Sequence, residues 1–169
     1  RSRGLGDVYK RQTRNISTSM RNWRLLPLTV YDLRKSKYLE TREIDFPHMT
    51  PIYRSVGWLR SSDDAFFLMD DPETGKQRMY VFSPKTRKYM EYTLDVDVFS
   101  HNSHPNEDKI AFCDALNRLS VLSIEKQGIS IKRLLPFEHS ITNTNWSPDG
   151  KYIAVATERK EIYVVEYGG

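Results

Sequence analysis

The sequence has little cysteine and no long apolar run, and both scarcities exclude classes of protein. Its single cysteine, Cys113, excludes an internal disulfide framework and a zinc site built from several thiolates. The longest apolar stretches, residues 152–156 and 162–165, are far shorter than the roughly 20 residues that a membrane-spanning helix requires. A content of 38% hydrophobic and 12% aromatic residues excludes a disordered tail or a collagen-like chain, so the composition indicates a globular protein.

The net charge of +4 is concentrated at the N-terminus. Residues 2–12 read SRGLGDVYKRQ, which resembles the in-frame translation of the transposon-end adapter used in tagmentation sequencing libraries. We therefore expect residues 1–12 to be adapter-derived, non-native and disordered, and the native N-terminus to be missing. Because these residues carry three of the four net positive charges, residues 13–169 are nearly neutral.

No motif for catalysis, cofactor binding or metal binding is present. The sequence contains no nucleophile elbow, phosphate-binding loop or dinucleotide fingerprint. His48, His101, His104 and His139 lack the spacing of metal ligands and are interpreted as turn residues, and Cys113 as a small core residue. We predict no catalytic, cofactor-binding or metal-binding residue.

An internal repeat is the strongest signal. Residues 30–41 align with residues 81–92 at an offset of 51, and residues 104–111 align with residues 147–154 at an offset of 43. The repeating unit is therefore about 40 to 50 residues long, in the range of β-propeller blades.

Each unit contains short β-branched and aromatic runs separated by turn residues. In one unit the predicted strands are 55–59, 65–69, 77–82 and 88–94, and in the next they are 97–100, 109–113, 118–124 and 129–134. Four strands per unit is the number in one propeller blade, and no helix is predicted.

Two segments resemble WD-repeat proteins. Residues 146–157, WSPDGKYIAVAT, resemble the first strand, turn and second strand of a WD-repeat blade, and residues 28–33, LTVYDL, resemble its third strand with Tyr31 in place of tryptophan. The buried hydrogen-bond network of that family is suggested only by His48 and His139. We therefore expect the blades to be held together mainly by apolar packing.

The resemblance implies an all-β fold, a partial β-propeller of about three and a half four-stranded antiparallel blades in an open arc. The first predicted blade is 13–46, which lacks its first strand; its second, third and fourth strands are predicted at 15–20, 24–33 and 37–44. It is followed by blades 51–94 and 95–137, and by blade 138–169, which lacks its last strand. Such an arc leaves strand edges unpaired.

The function implied by the resemblance is a non-catalytic scaffold that binds other proteins. The alternative is that the segment is the propeller of a larger prolyl-peptidase-like or TolB-like hydrolase and gates a catalytic domain outside this sequence. Neither interpretation involves a cofactor or a membrane span. Cytoplasm or nucleus is favoured, although a missing signal peptide would leave the compartment open.

The turns between third and fourth strands contain basic residues in two successive units. In a propeller these turns lie on one rim, where they could bind an acidic partner. The intervening turns are acidic, so mutual screening favours an ordinary solvated surface and disfavours a nucleic-acid or phosphoinositide site. The residues of this basic rim are Arg34, Lys35, Lys37, Lys85, Arg87 and Lys88.

Four aromatic residues recur at strand positions: Tyr53, Trp58, Trp146 and Tyr163. Aromatic side chains can serve as exposed binding anchors. Their periodic placement instead favours packing in the core.

Overall fold

The computed structural model describes residues 25–32, 36–45, 52–71, 74–125 and 127–168. Within these ranges the chain forms thirteen strands and no helix, as the repeat pattern predicts. The strand predicted at residues 15–20 lies outside the described residues. The chain divides into two compact units, residues 1–51 and 52–169.

The described residues of the first unit form one antiparallel hairpin. Strand β1 (Leu25–Asp32) pairs with β2 (Lys37–Asp45), with Tyr31 opposite Tyr38. The register shifts between Val30 and Tyr31, and Ser36 in the connecting turn has a φ of +49°. This hairpin agrees with the third and fourth strands predicted for the first blade.

The second unit contains three antiparallel sheets, in each of which strands consecutive in sequence lie side by side. The first sheet comprises β3 (Ile52–Leu59), β4 (Asp64–Asp70), β5 (Gln77–Ser83) and β6 (Lys88–Leu94). The second comprises β7 (Phe99–Ser103), β8 (Lys109–Cys113), β9 (Arg118–Glu125) and β10 (Gly128–Pro136). The third comprises β11 (Ile141–Trp146), β12 (Tyr152–Thr157) and β13 (Ile162–Glu166).

Alternating side chains of neighbouring sheets form two cores. One core lies between the first and second sheets and includes Phe66, Val81 and Phe112. The other lies between the second and third sheets and includes Val121 and Val155. Because strand side chains alternate between faces, the second sheet contributes opposite faces to the two cores. This apolar packing is the arrangement expected from the sequence.

Polar contacts also join the sheets, along their first strands. Thr144 Oγ1 of β11 donates to the Ser100 carbonyl oxygen of β7 at 2.6 Å. Trp146 Nε1 donates to the Asn102 carbonyl oxygen at 3.1 Å, and the backbone N–H of Trp146 donates to Asn102 Oδ1 at 3.3 Å. The first strands of neighbouring sheets are therefore fixed in register by side chains as well as by apolar packing.

Each turn between second and third strands contains one residue with a positive φ. These residues are Gly75, Asn117 and Lys160, with φ values of +64°, +55° and +64°; Gly75 lies four residues after the start of its turn, whereas Asn117 and Lys160 lie three residues after theirs. In each turn the N–H of this residue donates to the carbonyl oxygen of the residue that opens the turn, at 2.9 to 3.0 Å. Glycine and asparagine are the residues that adopt this left-handed conformation most readily.

We expect Asn117→Ala to destabilise the protein by about 1 kcal/mol, because alanine adopts the left-handed conformation at a higher energy than asparagine. Asn117→Gly is the control and should cost less, because glycine tolerates a positive φ. Urea denaturation of both variants measures the difference. Equal losses would show that the side chain of Asn117, and not its backbone conformation, stabilises the turn.

Candidate interaction rim

Two kinds of turn lie at the same end of each sheet: those between first and second strands and those between third and fourth strands. We call the described turns at this end the charged rim (residues 60–63, 84–87, 104–108 and 147–151). Lys85 Nζ lies 3.0 Å from Asp63 Oδ2 and donates to the Ser62 carbonyl oxygen at 3.4 Å. The N–H of Ser62 donates to Asp108 Oδ1 of the next sheet at 3.1 Å. The rim is therefore continuous from the first sheet to the second.

The structure describes only part of the predicted basic rim. Lys85, Arg87 and Lys88 are exposed around the turn between β5 and β6, where Arg87 has a φ of +58°. Arg34 and Lys35 lie outside the described residues. Lys37 begins β2, but its side chain is also outside the described set.

Opposite charges alternate on the described part of the rim. Lys85 pairs with Asp63, and Lys109 Nζ lies 2.6 Å from Glu107 Oε2. The hydrogen bond from Lys109 lowers the pKa of Glu107, and the same bond raises the pKa of Lys109. Exposed pairs of this kind screen one another and contribute little to stability. The role of the basic residues in binding stays a prediction.

A cleft of about 560 Å³ opens on the charged rim between the first and second sheets. Trp58 lines it and is 56% exposed. The other residues that line the cleft are Leu59, Arg60, Asp63, Asn102, Ser103 and Pro105. The cleft is therefore lined by an exposed tryptophan and an arginine of the first sheet and by polar residues of the second.

The prediction that the periodic aromatic residues pack in the core is wrong for two of them. Trp58 and Tyr163 are both exposed, whereas Trp146 is 7% exposed and packs edge-on against His104 and Tyr167. Trp146 is covered because Asn102 of the neighbouring first strand binds both its backbone and its indole nitrogen. The side chain of Tyr53 lies outside the described residues.

Sequence reasoning missed the structural role of His104. This residue lies in a turn, as predicted, but it is 3% exposed. Its Nδ1 accepts from the N–H of Asn106 at 3.1 Å, so Nε2 carries the proton and donates to the Gly150 carbonyl oxygen at 3.2 Å. His104 therefore joins the charged-rim turns of the second and third sheets. The contact spans 46 residues, close to the repeat length, which is the only signal in the sequence that could have indicated it.

The interpretation of His101 as a turn residue is wrong, because His101 lies in strand β7, where it joins the first and second sheets. Its Nε2 contacts Ser55 Oγ of β3, and its ring packs edge-on against Phe66 with centroids 5.2 Å apart. Burial lowers the pKa of His101, because the charged imidazolium loses solvation at this interface.

This burial predicts an acid-sensitive interface between the first and second sheets. Since the folded pKa of His101 lies below its unfolded value near 6.5, the unfolded chain binds the proton more readily. Above pH 6.5 His101 should not reduce the free energy of unfolding. As the pH decreases from 6.5 to the folded pKa of His101, the free energy of unfolding should decrease by at most about 1.4 kcal/mol per pH unit. Urea denaturation between pH 5 and 8 tests this, with His101→Gln as the control. A variant profile as steep as that of the wild type would assign the loss to other groups.

Within the described ranges, no group of three or more His, Cys, Asp or Glu residues could hold a metal ion. Cys113 is buried, and desolvation raises the pKa of its thiol, which keeps it protonated and weakly nucleophilic. In the part of the chain that the structure describes, no helix is long and apolar enough to cross a membrane.

Comparison with solved structures finds this fold in WD40 β-propellers. A chain of the mitotic checkpoint complex matches with a TM-score of 0.60 and 16% identity, over 85% of this chain and 44% of that chain. The C-terminal WD40 domain of Sif2 matches with a TM-score of 0.55 and 16% identity, over 78% and 37%. The β-propeller domain of Cps50 (Swd1) from Myceliophteria thermophila matches with a TM-score of 0.62 and 12% identity, over 86% and 49%.

The fold is therefore that of consecutive blades of a WD-repeat-like β-propeller, as the resemblance of residues 28–33 and 146–157 implies. The chain spans less than half the length of these three structures. No protein-family profile and no curated protein sequence matches it. At this level of identity the likeness concerns the fold alone.

Proposed function

We propose that this protein is a non-catalytic scaffold that binds other proteins through its charged rim. Propellers of this fold present rigid sheets whose turns form extended surfaces. The blade boundaries predicted from the sequence, 13–46, 51–94, 95–137 and 138–169, are part of the same proposal.

The observation that carries the proposal is the cleft beside Trp58. Truncating tryptophan and arginine causes the largest losses of affinity at many protein interfaces, and both Trp58 and Arg60 line this cleft. Asn102 and Ser103 supply polar groups opposite them, on the neighbouring sheet. A partner that inserts between the two sheets would bury the indole of Trp58 and form hydrogen bonds with β7.

The basic residues of the turn between β5 and β6 lie on the same end of the first sheet as the cleft: Lys85, Arg87 and Lys88. Because Lys85 already pairs with Asp63, we assign them a minor role in orienting an acidic partner. The affinity of a partner bound at the cleft should therefore depend only weakly on ionic strength.

A selection of peptides displayed on phage tests the proposal without knowledge of the natural partner. We expect the protein to enrich peptides whose binding is lost in Trp58→Ala and weakened in Arg60→Ala. Leu116→Ala is the control, because Leu116 is also exposed but lies at the opposite end of the second sheet. Enriched peptides that bind Trp58→Ala as tightly as the wild type would overturn the assignment of the cleft, and no enrichment would overturn the proposed scaffold.

A further inference from the structure

The cleft between the first and second sheets contains one positive charge that is not compensated. Two of the residues that line it are charged, Arg60 and Asp63. Asp63 is already neutralised, because Lys85 Nζ lies 3.0 Å from its Oδ2. Arg60 directly follows β3 and is exposed, and its guanidinium forms no ion pair or hydrogen bond with any residue that the structure describes.

The turns on either side of the cleft are held in place by their own polar contacts. Each carboxylate in residues 60–63 and 104–108 is bound by another group of the charged rim. One of these contacts links the two sheets, so the walls of the cleft are positioned before a partner binds. The contacts are Asp63 with Lys85 Nζ, Glu107 with Lys109 Nζ at 2.6 Å, and Asp108 Oδ1 with the N–H of Ser62 at 3.1 Å.

Ser103 supplies a hydroxyl on the wall opposite Arg60. It pairs with Ile110 in the ladder between β7 and β8, and Ile110 belongs to the core between the first and second sheets. Because paired residues project from the same face of a sheet, the Ser103 side chain faces the first sheet. The cleft therefore has a guanidinium on one wall and a hydroxyl on the other, and both groups can donate hydrogen bonds to an anion.

We propose that the cleft binds an aspartate or glutamate side chain of a partner protein, whose carboxylate pairs with Arg60 and accepts a hydrogen bond from Ser103. This inference rests on the function proposed above and names the chemistry of the partner. Arginine binds carboxylates through two parallel N–H donors, which gives such a contact geometric specificity. The buried side chain of Leu59 also lines the cleft and makes part of its surface apolar.

The charge of the cleft matches a carboxylate better than a phosphate group. A phosphorylated side chain carries nearly two negative charges at neutral pH, and proteins recognise it through clusters of arginine residues. Arg60 is the only basic residue among those that line the cleft in the described part of the chain. A single guanidinium balances the single charge of an aspartate or glutamate.

A charge reversal in the peptide selection described above tests this inference. Displayed peptides are joined to the phage through their C-termini, so the carboxylates they offer are those of side chains. We expect the wild type to enrich peptides with an acidic residue at one place, and Arg60→Glu to enrich peptides with lysine or arginine there. Lys88→Glu is the control, because Lys88 is exposed at the same end of the first sheet but does not line the cleft. It should enrich the same acidic peptides as the wild type.

Calorimetric titration then measures the coupling between Arg60 and the carboxylate. The probes are one enriched peptide with both termini blocked and its counterpart with asparagine or glutamine in place of the acidic residue. Arg60→Gln should weaken the acidic peptide about tenfold and leave the affinity of the amide peptide almost unchanged. Ser103→Ala should weaken the acidic peptide about threefold. A peptide with phosphoserine at the acidic place should bind no more tightly than the acidic peptide.

The possible failures separate this inference from the proposed function. Enriched peptides that require Trp58 but contain no common acidic residue would overturn the inference and leave the scaffold proposal intact. Equal losses for the acidic and the amide peptide in Arg60→Gln would do the same. Tighter binding of the phosphoserine peptide would show that the cleft recognises phosphate. The absence of any enriched peptide would overturn the proposed function and this inference with it.

Discussion

Asp114→Ala is expected to lower the free energy of unfolding by about 3 kcal/mol, because it removes a buried carboxylate that holds a whole turn together. Asp114 is 4% exposed. Its Oδ1 accepts from the N–H groups of Leu116 and Arg118 at 2.9 and 3.0 Å, and its Oδ2 binds the Arg118 guanidinium at 2.7 Å through both Nε and Nη2. The loss leaves two backbone donors and a partly buried guanidinium without these acceptor oxygens.

The matched control for Asp114→Ala is Thr157→Ala. Thr157 opens the equivalent turn of the third sheet, and its hydroxyl donates to Glu161 Oε2 at 3.2 Å. Because only one hydrogen bond is lost, from a hydroxyl to the carboxylate of the exposed Glu161, this variant should cost about 1 kcal/mol. Urea denaturation at pH 7 compares the two. Equal losses would show that the carboxylate and Arg118 do not stabilise the turn beyond an ordinary hydrogen bond.

Gly150→Ala is expected to have a similar effect, about 3 kcal/mol, from a different cause. Gly150 has a φ of +74°, and a Cβ at this position would overlap the buried ring of His104. The ring would have to move, and its hydrogen bond to the Gly150 carbonyl oxygen and its contact with Trp146 would be weakened. The interface between the second and third sheets should therefore be the part that is destabilised.

Gly75→Ala separates the energetic cost of a positive φ from the cost of the overlap with the His104 ring. Gly75 has a φ of +64°, but a Cβ there meets no atom within 4 Å, so only the backbone cost of about 1 kcal/mol is expected. Removing the ring with His104→Ala should reduce the additional cost of Gly150→Ala, since the clash is no longer present. Thermal denaturation of the single and double variants measures this coupling. Strict additivity would show that His104 does not cause the loss.

Strand positions could be predicted from the sequence wherever apolar residues cluster between turn residues. The strands predicted at 88–94 and 109–113 coincide with β6 and β8, and the other strands of the first two sheets differ from prediction by at most three residues at either end. The prediction for β7 is the least accurate, 97–100 against Phe99–Ser103. His101 and Asn102 of this strand are polar, and their side chains contact neighbouring sheets, so apolar patterning could not extend the predicted strand past residue 100.

The environment of individual side chains could not be predicted in the same way. Trp58 and Trp146 occupy similar places in their repeats, yet one lines an open cleft and the other is buried. The difference arises because Asn102 binds Trp146 from another sheet, and no local pattern records a partner 44 residues away. The charged rim was accessible to sequence reasoning, since alternation of sign is visible in the turns, but the cleft was not.

The contacts along the first strands have a consequence for rearranged versions of this chain. Ser55 meets His101 across the first interface, whereas Ser100 and Asn102 meet Thr144 and Trp146 across the second. The residues that form the contacts differ between the two interfaces. The order of the sheets is therefore specified by their side chains as well as by the loops that connect them. Residues 52–136 and 141–168, produced as separate polypeptides cut in the loop that precedes β11, should therefore reassociate in the native order.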